Sequence, residues 1–235
     1  MKQLLVLVAV AGIILSSCGK SGQTAKLKNE TDSISYYIGI AFGKQLKSIG
    51  LTDYNATALA KGMNEAFKKD SLKITDEELN MKLSSYVALL RQRASEKNLK
   101  AGQDFLAKNK EKKGVQTLPS GLQYEVVKEG SGPMPDSSSL VTCHYTLYHL
   151  DGKVVESSEK REPAKFLVTQ VIPGWTEALL KMRVGSKWKL YVPTNLAYGE
   201  NIRPDGPLKA NEALIFDIEL LNVEKNPEPV NPNVK

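Results

Sequence analysis

Residues 140–156 read LVTCHYTLYHLDGKVVE, and this stretch indicates how the C-terminal half of the chain folds. Up to Leu150 the side chains alternate in the period-two pattern of a strand that buries one face. Asp151-Gly152 is a strong hairpin signal, because both residues tolerate the positive φ of a tight two-residue turn. The stretch therefore predicts two antiparallel strands, 140–150 and 153–156.

Further short strands surround this hairpin in the region that follows Gly114. They are predicted at 122–128, 165–168, 187–192 and 213–223. Pro173-Gly174 precedes a single short helical pattern from Trp175 to Lys181, which Gly185 closes. The region after Gly114 is therefore predicted to consist of short strands with one short helix.

The preceding residues follow helical periodicity. Apolar side chains recur at three- and four-residue steps from Ser33, and a second helix is predicted to begin at the cap Asn55. Thr75 and Glu78 have the spacing of a capping box, and the pattern after them reaches Asn109. A helix of about 35 residues would be about 50 Å long. Its second half is rich in charge and thin in apolar residues, so it is predicted to be a partly exposed connecting rod.

Two glycines in the first helix bear on how that helix packs. Gly39 and Gly43 lie on neighbouring turns, where the missing side chains would let another helix come close. Packing within the chain and packing against a second copy fit the spacing equally well.

The first seventeen residues have the features of an export signal. Lys2 supplies a positive charge, and residues 4–15 form an apolar stretch that is too short to span a bilayer. Residues 15–19, LSSCG, resemble the bacterial lipobox, in which the cysteine is lipidated and becomes the new N-terminus. Cleavage after residue 17 would leave Cys18 as a lipid anchor and residues 18–30 as its lipidated N-terminus and flexible tether. The alternative is an ordinary signal peptide with an incidental cysteine.

A lipobox implies a bacterium, so the predicted location is the cell envelope, with the lipid-anchored body facing the periplasm. The formal charge of +6 comes from 32 basic and 26 acidic residues spread along the chain. This mixture indicates a solvated surface and no nucleic-acid partner. After lipidation only Cys143 would remain as a thiol, which excludes an internal disulfide. Residues 226–235 contain three prolines and are predicted to form a disordered tail.

The familiar catalytic constellations are missing from the sequence. The only histidines, His144 and His149, lie five positions apart in one predicted strand and therefore on opposite faces. Neither they nor Cys143 suggest a nucleophile or a metal site, and no phosphate-binding loop is present. The sequence predicts no metal and no cofactor.

Five blocks in the C-terminal half resemble, in order and spacing, the signature of the FKBP-type peptidyl-prolyl cis/trans isomerases. They are residues 143–146, 152–158, 171–175, 196–199 and 214–221. Residues 116–124 and the helical region before them are similar to the macrophage infectivity potentiator branch of that family, in which a helical module forms an intertwined homodimer. The resemblance implies an α+β fold. An all-helical dimerisation module with a long connecting helix would occupy residues 31–113, and the isomerase domain would occupy residues 114–225. That domain would be an antiparallel sheet of five or six strands wrapped over a short helix.

The resemblance also assigns a pocket, residue by residue. Trp175 would form its floor, the backbone N–H of Ile172 would meet a ligand carbonyl, and the hydroxyl of Tyr198 would donate at the rim. The expected catalytic residues are Tyr145, Glu156, Tyr198 and Phe216. The expected substrate-binding residues are Val155, Phe166, Val171, Ile172, Trp175 and Leu208. Val155, Glu156 and Ala164 replace phenylalanine, aspartate and an aromatic residue found in other members, and these changes predict a wider cleft.

The implied function is catalysis of X-Pro rotation in exported proteins, with unfolded or proline-containing polypeptides as partners. Macrolide inhibitors are candidate ligands of the same pocket. The alternative is a dimeric periplasmic holdase that binds unfolded chains with weak or no isomerase activity. The isomerase prediction requires that the indole of Trp175 face a hollow that is open to solvent.

Overall fold

The computed structural model describes residues 26–68, 72–203 and 206–225. The predicted signal peptide, the lipidation site Cys18, most of the tether and the tail 226–235 lie outside these ranges. Among the described helices, none combines the length and the apolar character that crossing a membrane requires.

Four α-helices occur within the described residues. They are α1 (Glu30–Ser48), α2 (Ala56–Lys68), α3 (Asp76–Asn109) and α4 (Pro173–Leu179). Asn55 caps α2, because its Oδ1 accepts a hydrogen bond from the backbone N–H of Ala58 at 2.9 Å. Thr75 caps α3 in the same way, with its Oγ1 3.1 Å from the backbone nitrogen of Glu78. A full capping box would also need the Glu78 carboxylate to accept from the backbone N–H of Thr75. The carboxylate pairs instead with Lys82 at 3.5 Å, so the described contacts show only the first half of the predicted box.

The chain divides into two compact units, residues 1–46 and 47–235. Most of α1 belongs to the first unit, and no residue of this helix is buried. Its exposed apolar side chains include Ile34, Tyr37, Ile38 and Phe42. In the second unit α2 likewise buries no residue. Each of these helices therefore presents apolar surface that the described residues leave uncovered.

The C-terminal half is built on an antiparallel sheet. Its described strands are β1 (Gln116–Thr117), β2 (Gln123–Lys128), β3 (Ser139–Tyr148), β4 (Val154–Ser157), β5 (Ala164–Leu167), β6 (Lys187–Val192) and β7 (Leu214–Lys225). The order is β1-β2-β6-β7-β3-β4, and β5 also pairs with β3. The six predicted strands are present, and the described residues add the two-residue strand β1. The predicted hairpin joins β3 to β4, with Gly152 at a φ of 81°.

One buried cluster joins the sheet to α4. Trp175 and Leu179 of α4 lie in it together with Leu190 and Ile218 of the sheet. Full burial of one such aliphatic side chain contributes about 1.5–3 kcal/mol. Gly174 makes the close approach possible, because a Cβ at this position would lie 2.6 Å from Cγ1 of Val192. The cluster therefore holds Trp175 firmly between helix and sheet.

The second half of α3 packs on this domain, which its composition did not predict. Ser95, Gly102 and Asn109 are buried at seven-residue intervals along one face. A Cβ on Gly102 would lie 2.9 Å from Cβ of Ala213, and Asn109 Nδ2 donates to Gln123 Oε1 at 3.0 Å. The sequence predicted that this half of α3 is a partly exposed connecting rod, and in the structure only its outer face is exposed. The fully buried positions of this face carry small and hydrogen-bonding residues, so its apolar signal in the sequence is weak.

Candidate active site

The C-terminal domain contains a cavity of about 230 Å³. Strands β3, β4, β5 and β7, helix α4, the segment before α4 and the segment between β6 and β7 all contribute to its walls. The lining residues are Tyr145, Leu147, Glu156, Phe166, Gln170, Val171, Ile172, Trp175, Tyr198 and Phe216. Most of these side chains are apolar, so the cavity favours uncharged groups over charged ones.

Trp175 forms the centre of the cavity wall. The rings of Tyr145, Phe166 and Phe216 meet its indole edge-on, with centroid distances of 5.4, 5.5 and 5.4 Å. This geometry is favourable because the positive edge of one ring meets the negative face of another. Trp175 is only 4% exposed, yet it lines a cavity at whose edge Tyr198 is 40% exposed. The hollow is therefore open to solvent, as the isomerase prediction requires.

The start of α4 sets the orientation of Trp175 and Ile172. Pro173 at the first turn suits the helix N-terminus, and the carbonyl of Ile172 accepts hydrogen bonds from the N–H groups of Trp175 and Thr176. The Thr176 hydroxyl donates to the Val168 carbonyl at 2.7 Å and ties the helix to the end of β5. No described residue accepts a hydrogen bond from the N–H of Ile172, so this donor is available to a ligand.

The rim of the cavity is polar. Arg161 Nη2 donates to Glu156 Oε1 at 3.2 Å and to the Ser157 carbonyl at 2.8 Å. Burial, followed by a hydrogen bond with Glu156, raises the pKa of Tyr145 to about 12. Burial and the nearby Glu156 charge also raise the pKa of Tyr198. Both phenols therefore stay neutral hydrogen-bond donors at physiological pH, and no described residue accepts from the Tyr198 hydroxyl.

A hydroxyl-centred network holds Tyr145 in place. Ser158 Oγ accepts from the backbone N–H of Tyr145 at 2.8 Å, and the Ser158 N–H donates to the Tyr145 carbonyl at 2.9 Å. Nδ1 of His144 lies 3.1 Å from the same Oγ. This histidine thus supports the backbone of β3 and does not line the cavity.

The other residues that could suggest acid–base, nucleophilic or metal chemistry lie outside the cavity. His149 pairs with Glu212 at 2.9 Å. Cys143 is fully buried, and burial raises the pKa of its thiol to about 12, which leaves it unreactive at neutral pH. In the described part of the chain no group of three or more potential ligands could hold a metal ion.

Eight of the ten residues assigned from the sequence line this cavity. Val155 and Leu208 do not, and they pack instead against the hydrophobic core. Val155 precedes Glu156 in β4, and successive side chains of a strand point to opposite faces. The same rule could have identified Leu147, which lies two positions after Tyr145 in β3. Gln170 carried no comparable signal, because it lies in the irregular segment between β5 and α4.

Comparison with known proteins agrees with this geometry. Residues 31–126 match the domain amino terminal to FKBP-type peptidyl-prolyl isomerase, and residues 132–221 match FKBP-type peptidyl-prolyl cis-trans isomerase. The chain is 42% identical to the outer membrane protein MIP of Legionella longbeachae, over 96% of this chain and 99% of that protein. It belongs to the FKBP-type peptidyl-prolyl cis-trans isomerases.

Two further FKBP-type relatives extend the likeness over most of the chain. FkpA of Aeromonas hydrophila is 35% identical, over 94% of this chain and 93% of that protein. The crystal structure of FkpA from Escherichia coli superposes with a TM-score of 0.65 at 32% identity, over 86% of this chain and all of that chain. The predicted family, α+β fold class and isomerase activity are confirmed.

Proposed function

We propose that the cavity around Trp175 is the isomerase site of this chain and that it acts without covalent chemistry. The observation that carries the proposal is the set of three rings edge-on to one indole, beside two unused donors. The prolyl ring would pack on Trp175 between Phe166 and Phe216. The N–H of Ile172 and the hydroxyl of Tyr198 would hold substrate carbonyls.

Such a site favours the transition state because of how the amide changes as it rotates. A planar X-Pro amide has a charge-separated resonance form, and breaking that resonance makes rotation slow. The twisted amide has lost this form, so a largely apolar cavity accommodates it better than the planar amide. Binding the twisted form more tightly than the flat form is what accelerates the reaction.

The free energy required is modest. A thousandfold acceleration corresponds to about 4 kcal/mol by transition-state arithmetic. One hydrogen bond from a neutral donor contributes about 0.5–1.5 kcal/mol, so exclusion of water and shape must supply the rest. Glu156 would orient Tyr145 and polarise the rim, with Arg161 fixing its carboxylate. We assign Glu156 no proton transfer.

The variant Tyr198→Phe with Phe216→Ala tests this site. It should lose most of the activity on a short proline peptide, because it removes a rim donor and one of the three rings. Phe216 is also a core residue, so circular dichroism must show a folded chain, and Tyr198→Phe alone is measured beside it. Tyr86→Phe, a change at an exposed tyrosine outside the cavity, should leave turnover unaltered. Unchanged turnover in the folded double variant would refute the site.

The helical half supports a homodimer as the working form. Helices α1 and α2 bury no residue within the chain, and Gly39 and Gly43 have open space where a Cβ would lie. Exposed apolar surface on a helix is typical of an interface. A homodimer would place two isomerase sites on one assembly, which raises their effective concentration for a single extended client.

The largely apolar cavity also favours a second function, a dimeric holdase that grips unfolded chains there with weak or no isomerase activity. Refolding of a proline-limited protein beside an aggregation-limited one separates the two activities. Acceleration of the first indicates catalysis, whereas protection of the second without acceleration indicates a holdase. Macrolides are proposed ligands of the cavity, because their apolar rings suit walls of this composition, and competition with the peptide substrate would test their binding.

For its location, we propose a lipid on Cys18 that anchors the chain in the bacterial cell envelope, with the folded body facing the periplasm. The sequence of residues 15–19 supports this, as does the name of the Legionella relative, outer membrane protein MIP. Residues 1–17 would be removed as a signal peptide. Mass spectrometry of the N-terminal peptide from membranes tests the anchor, and an unmodified Cys18 there would exclude it.

A further inference from the structure

One residue beyond the cavity connects the segment that carries Tyr198 to the helix α3. Asn211 has a φ of 56°, and it is the only non-glycine residue with a positive φ in the described ranges. Asparagine tolerates this left-handed conformation better than most residues, but the conformation still has to be held by surrounding contacts. The hydrogen bonds of Asn211 show what holds it.

Asn211 uses both its backbone N–H and its side chain. The N–H donates to the carbonyl of Gly199 at 2.8 Å. The side-chain Nδ2 donates to Ser95 Oγ at 2.8 Å and to Glu200 Oε1 at 2.9 Å. On the other side of the amide, the Thr194 hydroxyl lies 3.4 Å from Oδ1. Asn211 thus links α3 to the residue that directly follows Tyr198.

A second contact from α3 reinforces this link. Asn98 Nδ2 donates to the carbonyl of Ala210 at 3.0 Å, one position before Asn211. Gly102, one turn further along the helix, lies against Ala213 with no room for a side chain. The helix therefore holds residues 210–213 from one side along three consecutive turns.

We propose that Asn211, together with Ser95 and Asn98 of α3, is a positioning residue for the Tyr198 hydroxyl. This inference rests on the proposed role of Tyr198 in the isomerase site. Ser95 fixes the Asn211 side chain, Asn211 fixes the Gly199 carbonyl, and Gly199 adjoins Tyr198. A donor must be placed within a fraction of an ångström to act on a transition state, and supporting residues supply that precision. The connecting helix is on this account part of the support of the active site as well as a spacer.

The test uses the full mature chain and Asn211→Gly. Glycine adopts the positive φ freely, so the change removes the side-chain hydrogen bonds without adding backbone strain. We expect kcat/KM on a proline tetrapeptide to fall roughly fivefold, which is within the range of interaction energies between residues in contact. Ser95→Ala should lower it in the same direction. Lys97→Ala, at an exposed position on the same helix, should leave it unchanged.

A double-mutant cycle separates positioning from a general effect on the fold. In a Tyr198→Phe background, Asn211→Gly should cause no further loss, because the hydroxyl that it positions is already gone. An equal loss in both backgrounds would overturn the inference. It would also fail if Tyr198→Phe lowers activity while Asn211→Gly does not. If Tyr198→Phe itself leaves activity unchanged, the proposed role of Tyr198 fails, and the positioning role fails with it.

Discussion

In the first half of α3, Leu83 and Tyr86 are 55% and 47% exposed, whereas Ser95 and Asn109 in the second half are 9% and 1% exposed. One continuous helix thus exposes large apolar residues in its first half and fully buries small and polar ones in its second half. The second half has a partner within the chain, because it lies against the isomerase domain. For the first half, the described contacts within the chain leave the apolar side chains uncovered.

This difference shows that composition and burial need not agree along a helix. Burial in the second half depends on hydrogen bonds and close backbone approach, which suit Ser95, Asn98 and Gly102. Apolar side chains left exposed cost solubility unless something covers them, and the proposed homodimer supplies that cover. The two halves can therefore be tested separately, the first by assembly and the second by stability.

The largest expected effect is on assembly. Leu83→Glu with Tyr86→Glu should convert a dimer into a monomer at micromolar concentration, because an apolar interface would have to bury unpaired charges. Light scattering on residues 19–235 should give twice the monomer mass before the change and the monomer mass after it. Activity on a short peptide should stay the same, since both residues are remote from the cavity. Arg93→Glu, at an exposed position of α3, is the matched control. A wild-type chain that is already monomeric would contradict the proposed homodimer.

The next effect concerns the docked half. Gly102→Val should destabilise the isomerase domain by about 1–3 kcal/mol, because the new Cβ would lie 2.9 Å from that of Ala213. The loss should occur although valine forms helices better than glycine. Gly62→Val in α2 is the control, since a Cβ there meets nothing within 4 Å. Urea unfolding followed by tryptophan fluorescence measures the difference. Equal stability of the two variants would show that the docked contact contributes little.

The smallest effect is expected on the outer face of the docked half. Lys100 and Asp104 form an exposed i,i+4 ion pair at 3.0 Å. Asp104→Asn should change the free energy of unfolding by about 0.3 kcal/mol, and added salt should remove even that difference. The same unfolding measurement applies. If Asp104→Asn lowered the free energy of unfolding as much as Gly102→Val does, the outer face would contribute to stability and the expectation would be wrong.

Several elements were predictable because their signals are local. The Asp151-Gly152 hairpin, the Asn55 cap and the Thr75 cap depend on residues within four positions of one another. The cavity was predictable for a different reason, because its residues belong to blocks that resemble a family signature. Val155 was assigned to the wall by that resemblance, but the strand places Glu156 in the cavity and turns Val155 toward the core. Strand alternation could have predicted Leu147 as a lining residue, but it could not have predicted Gln170, which lies outside the strands.

Short-range spacing was sufficient for the order of helices and strands, and the family resemblance was needed for most of the residues around Trp175. The folded chain alone decided that Ser95 meets Asn211, a contact between residues 116 positions apart. Full burial of small and polar residues leaves only a weak apolar pattern, and contacts over such distances depend on how the whole sheet is assembled. The docking of α3, and with it the support of Tyr198, was therefore a property of the tertiary structure.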